Sequence, residues 1–224
     1  MQSSRLGNYT IYYEHSEEFH ELKREIFTTQ IYYIELFNPA PVILDGGAHI
    51  GLSTLYFRQL CYQAKITAVE PLVENAVLLE KNLFENQITN VVTIHAALAG
   101  QIGSAALHYD SSDEGWFSTT SLYDGAWNGA QKTTARIVPT ISLVSLLEQE
   151  QYDLVKLDIE GAELGVVRAA SNILRAAENY LIEVHERKDN TAEQLEKIFS
   201  EQGFSTTLQQ LSRAGLSLLH ATKH

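Results

Sequence analysis

The sequence predicts an α/β fold in which helices cover both faces of a mostly parallel sheet. From Pro41 onward, short apolar runs typical of buried strands alternate with longer stretches of helical periodicity. The first apolar run, 42–44, leads directly into a glycine-rich loop at 45–51, and a helix begins near Leu52. A strand, a glycine loop and a helix in this order form the nucleotide-binding turn of such sheets.

The remaining elements come in the order that a parallel sheet requires. Before the first strand, an amphipathic helix starts at Ser16. After that strand we predict helices at 52–63, 74–86, 162–177 and 191–202, and strands at 65–70, 91–95, 151–158 and 180–185. The segments 204–208 and 216–219 are predicted to form a terminal antiparallel pair. Because parallel neighbours need crossover connections, the helices must lie on both faces.

We interpret residues 1–224 as a single domain in which 1–40 form an N-terminal helical cap. One stretch, 103–139, interrupts the alternation of strands and helices. Its ends, 103–109 and 135–139, are predicted to pair, and the polar loop between them carries aromatic residues. Long polar loops inside compact domains are frequently functional. We predict that this insertion faces the substrate through Trp116, Tyr123 and Trp127, the alternative being a loop that its tryptophans merely anchor.

Charge and cysteine content exclude several classes of function. The formal net charge is −12 and the chain contains no cluster of Lys and Arg, so we expect no nucleic-acid partner. No apolar stretch approaches the ~20 residues that span a bilayer, so we expect no membrane partner. The single cysteine, Cys61, excludes an internal disulfide. These features predict a cytoplasmic protein.

The acid that opens the glycine loop indicates the charge of the ligand. Asp45 precedes Gly46 and Gly47 at the loop entrance. A carboxylate there would repel a pyrophosphate and favour a cationic ligand. The glycines, which end with Gly51, also do not fit the dinucleotide pattern G-x-G-x-x-G.

A second acid indicates the adenosine part of the ligand. Glu70, followed by Pro71, ends the second predicted strand, where an acid accepts hydrogen bonds from both ribose hydroxyls. Together with Asp45, it predicts S-adenosylmethionine (SAM), which carries both a sulfonium and an ammonium group.

Further charged residues end the fourth and fifth predicted strands. Asp158 ends the fourth strand, and Glu183 and His185 end the fifth, so the three should meet at the edge that carries the glycine loop. We hypothesise that His185 takes a proton, oriented by Glu183 or Asp158. Lys156 is interpreted as a buried partner of these acids, and Glu163 as a charge that complements a helix dipole. The alternative, a hard-metal site built from Asp158, Glu183 and His185, remains open, but we predict no metal ion.

Four motifs together resemble the FkbM family of SAM-dependent methyltransferases. They are D-G-G-A-H-I-G at 45–51, E-P at 70–71, K-L-D-I-E-G-A-E at 156–163 and E-V-H at 183–185. The resemblance extends from about residue 41 to about residue 186, and the second long motif is the more specific of the two. His49 stands where the family commonly has Asn.

The resemblance implies a class I methyltransferase fold, with a seven-stranded Rossmann-like sheet whose last strand is antiparallel. It also implies a cofactor site. Asp45, Gly47 and Gly51 would line the methionine moiety and Glu70 the ribose, while Asp158 would lie near the transferable methyl group. Two further positions would offer backbone to the adenine, Ala96 and Ala97.

The predicted function is O-methylation of a hydroxyl group on a small sugar or secondary metabolite. N-methylation and carboxyl methylation of a small metabolite or peptide remain alternatives. So do a non-catalytic SAM-binding module and a nicotinamide oxidoreductase, although the glycine spacing speaks against the last.

Overall fold

The computed structural model describes residues 1–110, 120–123, 133–212 and 215–224. The strands are β1 (Gln2–Leu6), β2 (Tyr9–Tyr13), β3 (Val42–Gly46), β4 (Lys65–Val69), β5 (Val91–Ile94), β6 (Ala97–Ala99), β7 (Gly103–Asp110), β8 (Thr133–Ser142), β9 (Tyr152–Leu157), β10 (Ala177–His185), β11 (Phe204–Gln210) and β12 (Leu216–Lys223). The α-helices are α1 (Ser16–Lys23), α2 (Leu52–Leu60), α3 (Val73–Glu85), α4 (Leu143–Gln149), α5 (Glu163–Ala169) and α6 (Ala192–Glu201). A π-helical turn at Arg24–Thr28 and a 3₁₀ helix at Ser171–Ala176 complete them.

A seven-stranded sheet forms the centre of the fold, in the order β11–β12–β10–β9–β3–β4–β5. Strands β10, β9, β3, β4 and β5 pair in parallel. The last strand, β12, runs antiparallel to both of its neighbours, β10 and β11. The predicted α/β class, the terminal antiparallel pair and the strand arrangement implied by the resemblance are therefore confirmed.

The two faces of this sheet enclose two separate hydrophobic cores. Successive residues of one strand point to opposite faces. Ile43 and Leu154 pack with α1, α2 and α3, whereas their neighbours Leu44 and Val155 pack with α4, α5 and α6. The apolar runs that predicted buried strands thus supply both cores at once.

The N-terminal segment contains a hairpin of β1 and β2 that the sequence analysis did not predict. Two asparagines one turn apart, Asn82 on α3 and Asn86 directly after its last residue, bind the backbone of β2 where a further strand could pair. Asn82 accepts from the backbone N–H of Tyr12 at 2.7 Å and donates to its carbonyl at 3.1 Å. Asn86 does the same with Thr10, with both bonds at 2.8 Å. These side chains satisfy backbone hydrogen-bonding groups of β2. The hairpin can therefore form without the long period-two pattern by which a strand inside a sheet is predicted.

The insertion forms a second, three-stranded sheet in the order β6–β8–β7. Strands β7 and β8 pair antiparallel, as predicted for the ends of 103–139. Two of the aromatic residues predicted to contact substrate, Trp116 and Trp127, lie outside the described residues.

One predicted helix differs from the structure. The helix expected at 162–177 is wrong in its second half, because α5 ends at Ala169 and a 3₁₀ helix leads straight into β10. In the part of the chain that the structure describes, no helix is long and apolar enough to cross a bilayer.

The approach of the glycine loop to the exit of β9 yields a first prediction. Gly47 has φ of +72°, and a Cβ atom there would lie 1.8 Å from the carbonyl oxygen of Asp158. We expect Gly47→Ala to lower the free energy of unfolding by at least ~3 kcal/mol, measured by urea denaturation. In the control Gly165→Ala the new Cβ meets nothing within 4 Å. That variant should gain about 0.5–1 kcal/mol, and a Gly47→Ala protein as stable as wild type would contradict the close approach.

Candidate active site

A cavity lies at the carboxyl ends of β3, β4, β9 and β10, where ligands bind in sheets of this kind. It encloses about 1060 Å³ of empty space, part of it open to solvent. The predicted site residues on its wall are Gly47, Glu70, Pro71, Ala97, Asp158, Glu183 and His185. Asp45, Gly46, Gly51, Ala96 and Tyr123 are not on that wall. The roles of these residues stay predictions; the structure shows only which of them line the cavity.

Asp45 is fully buried beneath the glycine loop. Its Oδ2 accepts hydrogen bonds from the hydroxyls of Ser53 at 2.7 Å and Thr54 at 2.6 Å. Its Oδ1 forms an ion pair with Lys156 at 3.3 Å. Asp45 is thus paired with Lys156 inside the protein, and its contact with a cationic ligand stays a prediction.

Lys156 joins the glycine loop to the neighbouring strand. Its Nζ donates to the carbonyls of Gly46 at 3.2 Å and Gly47 at 2.8 Å, and lies 3.6 Å from Oδ2 of Asp158. Burial lowers the pKa of Lys156, but the surrounding carboxylates outweigh burial and raise it above the usual value. The interpretation of Lys156 as a buried partner of the acids is confirmed.

Two of the loop glycines are required by packing within the protein. A Cβ on Gly46 would lie 2.5 Å from Cδ1 of Leu98. Gly51 has φ of +93°, and its Cβ would lie 2.7 Å from Cδ1 of Leu79. These glycines bring strand and helix together. Gly47 is the one of the three that reaches the cavity wall.

Glu70 binds the backbone of the glycine loop and of the segment that follows β4. Its Oε2 accepts from the backbone N–H of His49 at 2.9 Å, and its Oε1 accepts from that of Leu72 at 3.0 Å. Burial raises the pKa of Glu70, while the His49 charge and these hydrogen bonds oppose the increase. The carboxylate is thus held in one orientation beside Pro71 and Ala97, which also line the cavity.

Elsewhere on the cavity wall, the hydroxyl group of Tyr32 contacts the carboxylates of Asp158 and Glu183. Tyr32, from the N-terminal segment, donates to Oε2 of Glu183 at 2.8 Å and to Oδ2 of Asp158 at 3.2 Å. Burial, followed by the negative charge of Asp158, raises the pKa of Glu183 to about 7. The charge of His185, the Tyr32 hydrogen bond and Lys156 oppose that increase. Glu183 is therefore a carboxyl group that changes protonation near neutral pH.

His185 is 2% exposed and surrounded by acids. Its Nδ1 lies 3.0 Å from Oε1 of Glu163, and its Nε2 lies 3.2 Å from Oε2 of Glu160 and 3.9 Å from Oδ1 of Asp158. Burial lowers the pKa of His185, but these three carboxylates together raise it well above the usual value. The surrounding carboxylates consequently favour the protonated form of the imidazole.

Glu163 orients His185, a role that the sequence analysis had given to Glu183 or Asp158. Glu163 is fully buried. It accepts hydrogen bonds from the backbone N–H of Gly161 at 2.9 Å and from the side chain of Asn190 at 2.8 Å. Glu163 lies in the first turn of α5, as predicted for a charge that complements a helix dipole, and the contact with His185 comes in addition.

The open question of a metal site concerns Asp158, Glu183 and His185. One possible ligand atom from each lies within 4.8 Å of the other two. Two of the three are already bridged, since Tyr32 donates to both carboxylates. The absence of a metal ion stays a prediction.

The insertion reaches the cavity through residues that the sequence analysis did not name. Thr120 and Leu122 line the cavity. Between them, Ser121 donates to the carbonyl of Glu160 at 2.7 Å. Tyr123 instead packs beneath Arg187, whose guanidinium carbon lies 4.1 Å from the ring centroid. Tyr123 therefore anchors the insertion and does not contact the cavity.

Backbone strain marks two residues of the wall that sequence motifs alone did not single out as ligand contacts. His49 and Glu160 have φ of 51° and 54°. Left-handed backbone is uncommon for residues other than glycine and concentrates at functional sites. Both line the cavity.

No local pattern could have found Tyr32, because it joins the acids only through the packing of the N-terminal segment.

The buried pair of Glu163 and His185 yields a second prediction. We expect Glu163→Gln to lower the free energy of unfolding by about 3 kcal/mol, because the amide removes the negative charge beside His185 and turns an NH₂ group toward a buried donor such as the Asn190 amide. Glu80 and His95 form a pair of the same 3.0 Å length on the surface. The control Glu80→Gln should change stability by less than ~0.5 kcal/mol. Equal effects in urea denaturation would contradict the buried arrangement.

Comparison with known proteins identifies the family to which this chain belongs. Residues 45–206 match the model of the methyltransferase FkbM domain. Methyltransferase sdnD of Sordaria araneosa is 28% identical, over 92% of this chain and 89% of that protein. Two crystal structures share the fold. Methyltransferase FkbM from Methylobacillus flagellatus KT has a TM-score of 0.62 at 15% identity, covering 92% of this chain and 50% of that chain. M. jannaschii TYW2 in complex with AdoMet has a TM-score of 0.53 at 13% identity, covering 99% and 84%. The chain belongs to the FkbM family and is a SAM-dependent methyltransferase.

Proposed function

We propose that this enzyme transfers the methyl group of SAM to a hydroxyl group of a small sugar or secondary metabolite. One observation carries the proposal. A single cavity connects Glu70, held by the backbone at the end of β4, with the acids at the ends of β9 and β10. The expected nucleoside site and the acidic cluster therefore lie in one cavity, as methyl transfer between two bound molecules requires.

The residues present fit SAM. Glu70 offers carboxylate oxygens to the ribose, and Pro71, Ala97, Leu98 and Leu107 supply apolar wall for an adenine. The close contact between Gly47 and Asp158 leaves the loop without a side chain at the point where the methionine moiety would lie. Asp158 and Glu183 place negative charge where a sulfonium would need it. Bound SAM supplies the electrophilic methyl carbon.

The acidic cluster supports a proton acceptor other than the one we hypothesised from sequence. The pKa of His185 is raised, which favours its protonated form and makes it less available to accept a proton. Glu183, with a pKa of about 7, gains and loses a proton at working pH. We propose that Glu183 takes the proton of the acceptor hydroxyl and that the His185 cation stabilises the neighbouring carboxylates.

The charge of the wall favours a neutral or cationic acceptor. Glu160 and Glu183 lie beside Asp158 on the side of the cavity where transfer would occur. A carboxylate acceptor would be repelled there, which favours methylation of a hydroxyl over carboxyl methylation. The net charge of −12 likewise supports a small molecule over a nucleic acid, and we place the reaction in the cytoplasm.

A non-catalytic SAM-binding module is the second candidate. It would need Glu70 and the glycine loop but not Glu183. The raised pKa values of Glu183 and His185 favour the enzyme, because perturbed titratable groups in a cavity concentrate at catalytic sites.

Calorimetry tests the cofactor. We expect the wild type to bind SAM and not NAD, and Glu70→Gln to weaken the Kd for SAM by about 10- to 100-fold through loss of the ribose acceptor. Glu74 forms an exposed ion pair with Arg136 at 3.0 Å, away from the cavity, so Glu74→Gln should bind SAM normally. No heat with SAM, or an unchanged Kd in Glu70→Gln, would overturn the assignment.

Turnover tests the chemistry. We expect S-adenosylhomocysteine to form when SAM is supplied with a pool of small hydroxylated metabolites, and kcat to rise as the pH passes about 7, because Glu183 must be ionised to accept a proton. Glu183→Gln should lower kcat by ~10²–10⁴-fold with SAM affinity retained. If His185→Asn removes the pH-dependent limb and Glu183→Gln does not, the proton acceptor is His185, as the sequence suggested.

A further inference from the structure

Tyr32 is buried at the floor of the cavity and reaches it from outside the motifs. It lies between α1 and β3, 2% exposed, with its ring 5.4 Å from Nζ of Lys156. Its hydroxyl lies 2.8 Å from Oε2 of Glu183 and 3.2 Å from Oδ2 of Asp158. A single O–H group therefore bridges the ends of two neighbouring strands.

The Tyr32 hydrogen bond joins the charges of His185 and Lys156 in opposing the repulsion between the two carboxylates. The carboxylates of Asp158 and Glu183 repel each other, and burial strengthens this repulsion. Lys156 reaches Asp158 but is shared with Asp45, which takes part of its charge. The Tyr32 hydroxyl adds a neutral donor between Asp158 and Glu183 at the point where their oxygens converge.

We propose that Tyr32 is a positioning residue for the methyl transfer: it holds the carboxylates of Asp158 and Glu183 side by side and thereby orients Glu183 toward the acceptor hydroxyl. This inference rests on the proposed function of Glu183. It assigns to the N-terminal segment, which precedes the family match at 45–206, a direct part in the reaction site.

The alternative is that Tyr32 only packs. The chain offers a matched control in Tyr56, which is 0% exposed and belongs to the same hydrophobic core. Among the described residues, the Tyr56 hydroxyl has no hydrogen-bond partner. Tyr32→Phe and Tyr56→Phe therefore remove the same atom from the same core, with and without a carboxylate contact.

The first experiment titrates Glu183 directly and needs no acceptor. The groups that face Glu183 are Tyr32 from the N-terminal segment, Asp158 and Lys156 from β9 and its exit, and His185 on its own strand. Carboxyl ¹³C resonances of labelled glutamate would be followed by NMR, with the Glu183 signal identified by its loss in Glu183→Gln. Tyr32→Phe should move this titration about one unit to higher pH, because the ionised carboxylate loses a donor. Tyr56→Phe should leave it unchanged.

The second experiment measures S-adenosylhomocysteine formation against pH. If Glu183 titrates about one unit higher, its ionised fraction at pH 7 falls about fivefold, so kcat of Tyr32→Phe at pH 7 should fall by a similar factor and recover as the pH rises. The Kd for SAM should not change. A residue that only packs would alter the melting temperature and leave both titrations in place.

The outcomes separate this inference from the proposed function. If Tyr32→Phe titrates and turns over like wild type, Tyr32 is a packing residue and the inference is wrong. If wild type binds SAM but forms no S-adenosylhomocysteine, the proposed function fails, while the NMR titration still decides whether Tyr32 controls Glu183.

Discussion

The site depends on one buried cation. Lys156 is 1% exposed and lies opposite Asp45 in the register of β3 and β9. Its ammonium group holds the Asp45 carboxylate, two carbonyls of the glycine loop and the side chain of Asp158. A buried carboxylate without a partner is strongly destabilising. Lys156 therefore allows acids to stand at the ends of adjacent strands and fixes the loop over the cavity.

The other buried acids of the site differ in their surroundings. Glu163 is enclosed by donors and serves to hold His185 in place. Glu183 lies on the cavity wall, where burial and Asp158 raise its pKa to about 7. Asp158 thus acts on both groups, because its charge favours the protonated form of His185 and makes Glu183 harder to ionise. Titratable groups whose environments shift their pKa values differently can take separate roles in one reaction.

Strand direction made part of the site predictable from sequence, whereas contacts between distant segments did not. Parallel strands must end at one edge, so the convergence of Glu70, Asp158 and His185 could be derived from their positions alone. Periodicity indicates which face a side chain takes, but not whether a buried partner covers it. Asp45 was therefore assigned to the ligand although Ser53, Thr54 and Lys156 enclose it. The partners of Glu163 could not be derived for the same reason, because Asn190 lies far along the chain.

The N-terminal segment shows how tertiary packing completes what the motifs begin. Asn82 on α3 bonds the hairpin at Tyr12 and also donates to the carbonyl of Ile50 in the glycine loop, at 2.8 Å. One side chain thus ties the hairpin to the loop on one side of the cavity, while Tyr32 ties the same segment to Asp158 and Glu183 on the other. The N-terminal segment is therefore attached both to the glycine loop and to the acidic cluster, and it constrains the distance between these two parts of the site.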